Sequence, residues 1–222
     1  MAELKIRLAK TEDMGAIDAI YESARAFMRK SGNPTQWGET HPPRATLIED
    51  IPARRLFVIE GENGVCGVFA FILGEDSTYL HIENGAWKND EPYGVIHRIA
   101  GDGKTHGVLE AALRFASGIV RNIRIDTHEN NLVMRRKLAE FGFKYCGIIH
   151  VADGTPRLAY QYTAGTPSRA ELLSSVAPCS LSRMTCPSCG GGEIGAEAYY
   201  AEKKQVPYYL SYKKSDCGKE GK

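Results

Sequence analysis

The chain has 222 residues, 43% hydrophobic and 25% charged, which suits one domain of about 150 to 170 residues with an appendage and excludes a large multi-domain assembly or a small disulfide-stapled scaffold. With 28 Lys+Arg against 27 Asp+Glu there is no bulk field to draw nucleic acid or an anionic membrane, so any partner is recognised by a local site. No apolar run approaches the ~18 residues of a spanning helix and the first residues carry no signal-peptide pattern, so a cytoplasmic protein with its Cys reduced is expected.

In chain order, Lys5, Arg7 and Ala9 alternate with Ile6 and Leu8 and predict a first strand. Thr11 then opens a helix with Met14, Ile17, Ile20, Tyr21, Ala24 and Met28 on one face, ended by Ser31-Gly32-Asn33-Pro34. A shorter helix is expected within Arg44 to Ile51. The runs 55–60 and 65–73 read as strands around Asn63-Gly64, a hairpin signal because both residues tolerate positive φ. Strand-like segments follow at 78–82 and 93–100. A helix over 104–119 buries Val108, Leu109, Ala112, Phe115, Ala116 and Ile119. Next come a strand over 122–128 and a helix over 131–141, with Met134, Leu138 and Phe141 inward and Gly142 past its end. Two last strands, 143–150 and 157–162, flank a turn at Asp153-Gly154. The order βααβββαβαββ implies an α/β or α+β domain on a mixed sheet. Cys66 and Cys146, in apolar runs, are core thiols.

Two segments carry chemistry. In YGVIHRIAGDGKTHGVLEAALRFA (93–116) a strand leads through Gly101, Gly103 and Gly107 into an amphipathic helix. Such a turn is either a phosphate cradle, with Lys104 and His106 adding charge to the free N–H groups of a helix N-terminus, or only a tight connection. In NIRIDTHENNLVMRRKLAEFGFKYCGII (122–149) alternation puts Ile123, Ile125 and Thr127 on one face of a strand and Arg124, Asp126 and His128 on the other. Asp126 and His128 form a candidate base and acid, or else Asp126 pairs with Arg124 or Arg98 while His128 caps the next helix.

Taken together, the strand HRIA, the glycine loop, the strand RIDTH, Asn131 at a helix start, Gly142-Phe143 at its end and Gln36-Trp37 before a Pro-rich loop resemble the GNAT family of N-acetyltransferases. The resemblance spans residues 3–162. It implies a mostly antiparallel mixed sheet and acetyl-CoA as co-substrate. The backbone near Ile99 and Ala100 would run along the pantetheine arm and supply an oxyanion donor, while strand 122–128 splays away. The pyrophosphate would fall on the N–H groups of Gly103, Lys104, Thr105, His106, Gly107, Val108 and Leu109, with Asn131 reaching the pantetheine. Asp126 would be the first candidate for the base, His128 the second. Leu138 stands where many members place a Tyr acid, which leaves Tyr145 as a substitute. Lys104 and Leu109 also depart from the family's loop pattern, Lys104 losing a planar fork and Leu109 adding bulk. The acceptor, a primary amine of a small molecule or peptide, would meet Gln36, Trp37, Glu39, His41, Tyr79, Glu83, Trp87 and Tyr93, with aromatic walls for a cation and carboxylates for an ammonium. A homodimer is compatible with this reading.

Composition changes near Tyr162. Residues 163–180 read as a Ser/Ala/Pro/Thr-rich linker, and 181–222 as a small tail. Cys186-Pro187-Ser188-Cys189-Gly190 is a zinc-knuckle fragment, answered by Cys217 with Cys179 as a spare thiol; zinc, incidental cysteines and a redox pair are the readings open to it. The alternative to an enzyme is an acyl-CoA-binding regulatory module whose tail contacts a protein or nucleic acid.

Overall fold

Residues 4–165 are described by the computed structural model. Seven strands, β1 (Lys5–Leu8), β2 (Leu56–Gly61), β3 (Gly64–Leu73), β4 (Tyr93–Gly101), β5 (Asn122–Thr127), β6 (Lys144–His150) and β7 (Pro156–Thr163), form one sheet in the order β1-β2-β3-β4-β5-β7-β6. Four helices, α1 (Met14–Lys30), α2 (Arg44–Asp50), α3 (Val108–Ser117) and α4 (Leu132–Glu140), complete the order βααβββαβαββ. All neighbours are antiparallel except β4 and β5, which α3 joins as the crossover that a parallel pair requires.

The sheet is buried on both faces, which is why β3 reads as a nearly unbroken apolar run. On one face α3 and α4 seal a core of Phe57, Phe69, Ala112, Ala116, Ile123, Ile125 and Leu138. On the other, Ile17, Ile20 and Tyr21 of α1 and Leu47 of α2 pack on Val58, Val68, Ala70 and Ala100. Beyond them Tyr79 and the half-buried Trp87, from the segment between β3 and β4, close over Tyr93, Val95, Ile149 and Ala159. Cys66 and Cys146 are buried, and burial pushes both thiols up in pKa.

Two local expectations are corrected. Residues 78–82, expected as a strand beyond the seven of that order, hold only a single 3-10 turn, Ser77–Tyr79. The Asp76 carboxylate accepts the Thr78 N–H and hydroxyl and so curls the chain, and the apolar signal came from burial of the Tyr79 ring. The helix expected from residue 104 begins at Val108, because Asp102 accepts the N–H groups of Lys104 and Thr105 (2.9 and 2.7 Å) and Gly107 takes a left-handed φ of 87°. The hairpin expected at Asn63-Gly64 forms between β2 and β3, with Gly64 at positive φ. The linker expected over 163–180 begins at Thr163, the last residue of β7, and past residue 165 it and the tail expected over 181–222, with Cys179, Cys186, Cys189 and Cys217, lie outside the described residues.

Candidate active site

The site begins where β4 and β5 part. Their pairing runs Tyr93↔Asn122, Gly94↔Ile123 and Val95↔Arg124 and stops, although β4 continues to Gly101 and β5 to Thr127. A bulge in β4 re-aims its backbone there: Val68 pairs Ala100 and Ala70 pairs His97, so Arg98 and Ile99 together oppose Phe69, and Arg98 has φ +52°. The Tyr21 hydroxyl donates to the Arg98 carbonyl (2.8 Å), and the Arg98 guanidinium is held by buried Asp50, which also takes Arg55 at 2.9 Å. A buried carboxylate between two guanidiniums has its charge compensated, so the bulge is clamped through both side chain and backbone.

Two residues past the last pair, His97 and Asp126 face each other across the opening. The Tyr79 hydroxyl donates to Asp126 Oδ1 (2.6 Å), Arg157 Nε lies 3.9 Å from Asp126 Oδ2, and His97 Nδ1 lies 4.0 Å from Asp126 Oδ1. On its other side His97 Nε2 is 2.9 Å from Asp76 Oδ2. Burial alone would raise the Asp76 carboxyl, but the bonds from His97 and Thr78 outweigh it and bring the group to about 2. Burial and the Asp126 charge push the Tyr79 phenol far up, so it remains a donor.

The glycine loop leads from the end of β4 into α3. The N–H groups of Val108, Leu109 and Glu110 precede the first intrahelical bond, Ala111 N–H to the Gly107 carbonyl (2.8 Å), and present the positive end of the helix. Lys104 and His106 are exposed, while Leu109 leans on the core. Asn131 caps α4, its Oδ1 accepting the Met134 N–H (3.1 Å), and its amide donates to Gln36 Oε1 (3.0 Å), which ties α4 to the loop after α1. That loop and α1 also flank a cleft of about 440 Å³ lined by Asp18, Tyr21, Glu22, Arg25, Glu39 and Arg44.

The other expected residues divide. His128 lies past β5, its Nδ1 accepting the Asn130 N–H (3.2 Å), and so shapes the turn into α4. Tyr145 is exposed on edge strand β6, opposite Tyr160 and, through it, Ile125, so its ring is on the sheet face away from Asp126. Leu138 is fully buried in the core. Trp37 packs edge-on to Tyr21 (5.6 Å) and beside the solvent-exposed His41. Trp87 and Tyr93 do wall a cation, but an internal one: the Arg124 guanidinium sits 4.0 Å from the Trp87 ring and 3.6 Å from Tyr93, with Tyr79 stacked on Trp87. Glu83 bridges β6 through its backbone, and its exposed carboxylate lies 3.7 Å from His81 and 3.9 Å from His150. Neither Arg98 nor Arg124 pairs with Asp126, since Asp50 and the rings hold them. His97, Asp76 and Arg157 were not singled out from the sequence. Strand alternation put His97 beside Val95, but only register sets it opposite Asp126, and nothing in the turn around Asp76 marks it.

No protein-family model and no curated protein matches the chain. Among solved structures it is similar to a GNAT-family acetyltransferase from Streptococcus agalactiae 2603 (31% identity, TM-score 0.66), the match covering 73% of this chain and 96% of that one. A GNAT-family acetyltransferase from Listeria monocytogenes 4b F2365 shares the fold at 20% identity and TM-score 0.55, with 73% and 96% covered. The chain belongs to the GNAT family of acetyltransferases.

Proposed function

We propose that the protein transfers an acetyl group from acetyl-CoA to a primary amine of a small molecule or peptide by direct attack on the thioester. The observation that carries this reading is the parting of β4 from β5 beyond Val95 and Arg124, with Asp126 on its rim and the α3 N-terminus directly after β4. The residues fit the co-substrate in two places. The unpaired side of β4 around Ile99 and Ala100 offers backbone groups to an amide-containing arm, and an N–H near Ile99 serves the developing oxyanion. The N–H groups of Gly103, His106, Gly107, Val108 and Leu109, with the Lys104 and His106 side chains, suit a pyrophosphate, whereas those of Lys104 and Thr105 already serve Asp102. Asn131, at the start of α4 with its amide on Gln36, is the residue assigned to the pantetheine in this reading.

Acetyl-CoA supplies an activated acyl group whose thiolate leaves with little help, because a free thiol has a pKa near ~8.5. A buried Leu138 in place of a phenol is therefore tolerable. What the protein must supply is position and a route for the amine proton. Asp126 is the carboxylate that receives the ammonium, and the proton leaves on its side of the opening, to Asp126 or by way of a group beside it.

Calorimetry with acetyl-CoA followed by thiol release against polyamines, amino acids, aminoglycosides and peptide N-termini tests the reading. Binding with release on one acceptor class is expected. Tight binding without release on any would favour the second reading, an acyl-CoA-binding regulatory module, which the buried Leu138 supports. Absence of binding would overturn both. For the tail, zinc on Cys186, Cys189, Cys217 and Cys179 predicts about one zinc per chain in protein purified without chelator, and a ratio near zero would remove it.

A further inference from the structure

We propose that His97, oriented by Asp76, is the group that takes the proton from the acceptor amine, and that Asp126 anchors the ammonium opposite it. This rests on the acetyltransferase reading and deepens it. Asp76 is ionised at neutral pH and can only accept, so the His97 nitrogen 2.9 Å from it, Nε2, must carry the hydrogen. In the neutral ring Nδ1 then keeps its lone pair, and Nδ1 points across the opening at Asp126. Among the described residues nothing hydrogen-bonds to Nδ1, and Asp126 Oδ1 stands 4.0 Å away, beyond hydrogen-bond reach.

Two acceptors facing each other at 4.0 Å repel unless a donor comes between them. A nitrogen about 2.8 Å from each would subtend an angle of about 90° there, within what a tetrahedral ammonium can bend its N–H bonds to meet. The pair lies on the first rungs past the last β4–β5 pairing, where the thioester would enter, and the His97 side chain is 16% exposed rather than sealed. Other groups around the ring suit the role. Tyr79 meets it edge-on (5.6 Å) while donating to Asp126, Tyr93 accepts the Asp76 N–H (3.3 Å), and Arg157 from β7 balances Asp126. Arg98, the next residue, is neutralised by Asp50, and His41 faces this region from the loop after α1.

In the step itself the ammonium gives one proton to His97 Nδ1. The freed nitrogen pair forms the N–C bond to the acetyl carbon, the C–S bond breaks with its electrons on sulfur, and the second amine proton ends on that sulfur. His97 then releases its proton to water. The overall balance is an ammonium and an acetyl thioester giving an amide, a thiol and one proton.

The test uses His97→Gln, whose side-chain amide keeps a donor toward Asp76 while removing the base, and Asp76→Asn. Expected for His97→Gln are an unchanged acetyl-CoA affinity by calorimetry, a loss of about 10²- to 10⁴-fold in kcat/KM for the amine, and loss of the acid limb of the pH profile. Asp76→Asn removes the anionic acceptor that fixes the Nε2–H tautomer, so kcat/KM is expected to fall and the ring ¹⁵N shifts to move toward a mixture of tautomers; a purely structural contact would lower stability without moving them. Imidazole ¹⁵N shifts, read without turnover, are expected to show His97 as the Nε2–H tautomer. A His97→Gln enzyme that keeps its acid limb and kcat/KM, or a wild-type ring protonated on Nδ1 alone, overturns the assignment while leaving the acetyltransferase reading standing. A wild-type protein that binds acetyl-CoA and acetylates no amine overturns that reading and this one with it.

Discussion

Asp126 and Asp76 are both half-buried carboxylates on one sheet face, and their partners separate their roles. Asp76 is saturated: Thr78 donates twice, at 2.9 and 2.6 Å, and His97 Nε2 lies at 2.9 Å. Because its folded pKa, about 2, lies below the unfolded value of 3.8, it adds stability that is complete above pH ~4 and lost as pH falls from 4 toward 2. The size is about 2 kcal/mol. Urea midpoints at pH 6 and pH 3 should therefore differ less in Asp76→Asn than in the wild type, and equal losses would contradict the assignment. Asp126 is less saturated, with the Tyr79 hydroxyl as its one close donor among the described residues and Arg157 at 3.9 Å. Its remaining acceptor capacity faces the opening. Asp126→Asn is accordingly expected to lower kcat/KM for the amine by about 10²-fold or more with acetyl-CoA affinity retained, and unchanged turnover between about pH 6 and 9 would remove Asp126 from the chemistry. The strand alternation at Ile123, Arg124, Ile125 and Asp126 made this residue legible, since it needs only a period of two. The same pattern says nothing of which donors a neighbouring loop will bring.

Among the elements, the segment between β3 and β4 has little regular structure, yet it delivers Asp76, Tyr79 and Trp87 to the site. Two-way backbone bonds between Glu83 and Ile148, each 2.8 Å, fasten it to β6. That approach is close enough that a Cβ on Gly147, whose φ is +144°, would lie 2.6 Å from the Glu83 carbonyl oxygen. Gly147→Ala should thus cost about 1–3 kcal/mol and loosen the segment, raising KM for the amine more than it weakens acetyl-CoA binding. Thermal melting with substrate titrations would check this, and an unaltered KM would show that the segment is held some other way. The helix ends were legible because Asn131, Gly142 and Gly32 act on their own backbone. The start of α3 was not: Asp102 competes for the N–H groups of Lys104 and Thr105 and delays the helix to Val108.

For the molecule as a whole, the two faces of the sheet have different tasks. The α3–α4 face holds the larger core, with Leu138 in it, and the α1–α2 face carries the clamp on the β4 bulge and the polar cluster. A co-substrate that enters between β4 and β5 touches both, so it should stabilise the whole domain rather than a loop. At acetyl-CoA concentrations near 100 times its Kd the gain is about 2.7 kcal/mol, which for a domain of this size means a Tm rise of about 5–10 °C. A rise confined to proteolytic protection of one loop, with Tm unchanged, would argue against entry there. What the amino-acid sequence determined alone was the kind and order of elements, the core faces of α1, α3 and β5, and the glycine turn into α3, because periodicity and capping act over a few neighbouring residues. Tertiary structure decided which polar groups meet. Asp76, His97, Asp126 and Arg157 come from four distant segments, and their meeting depends on a sheet register that breaks at Val95 and Arg124 and on a bulge at Arg98, neither of which a local pattern encodes.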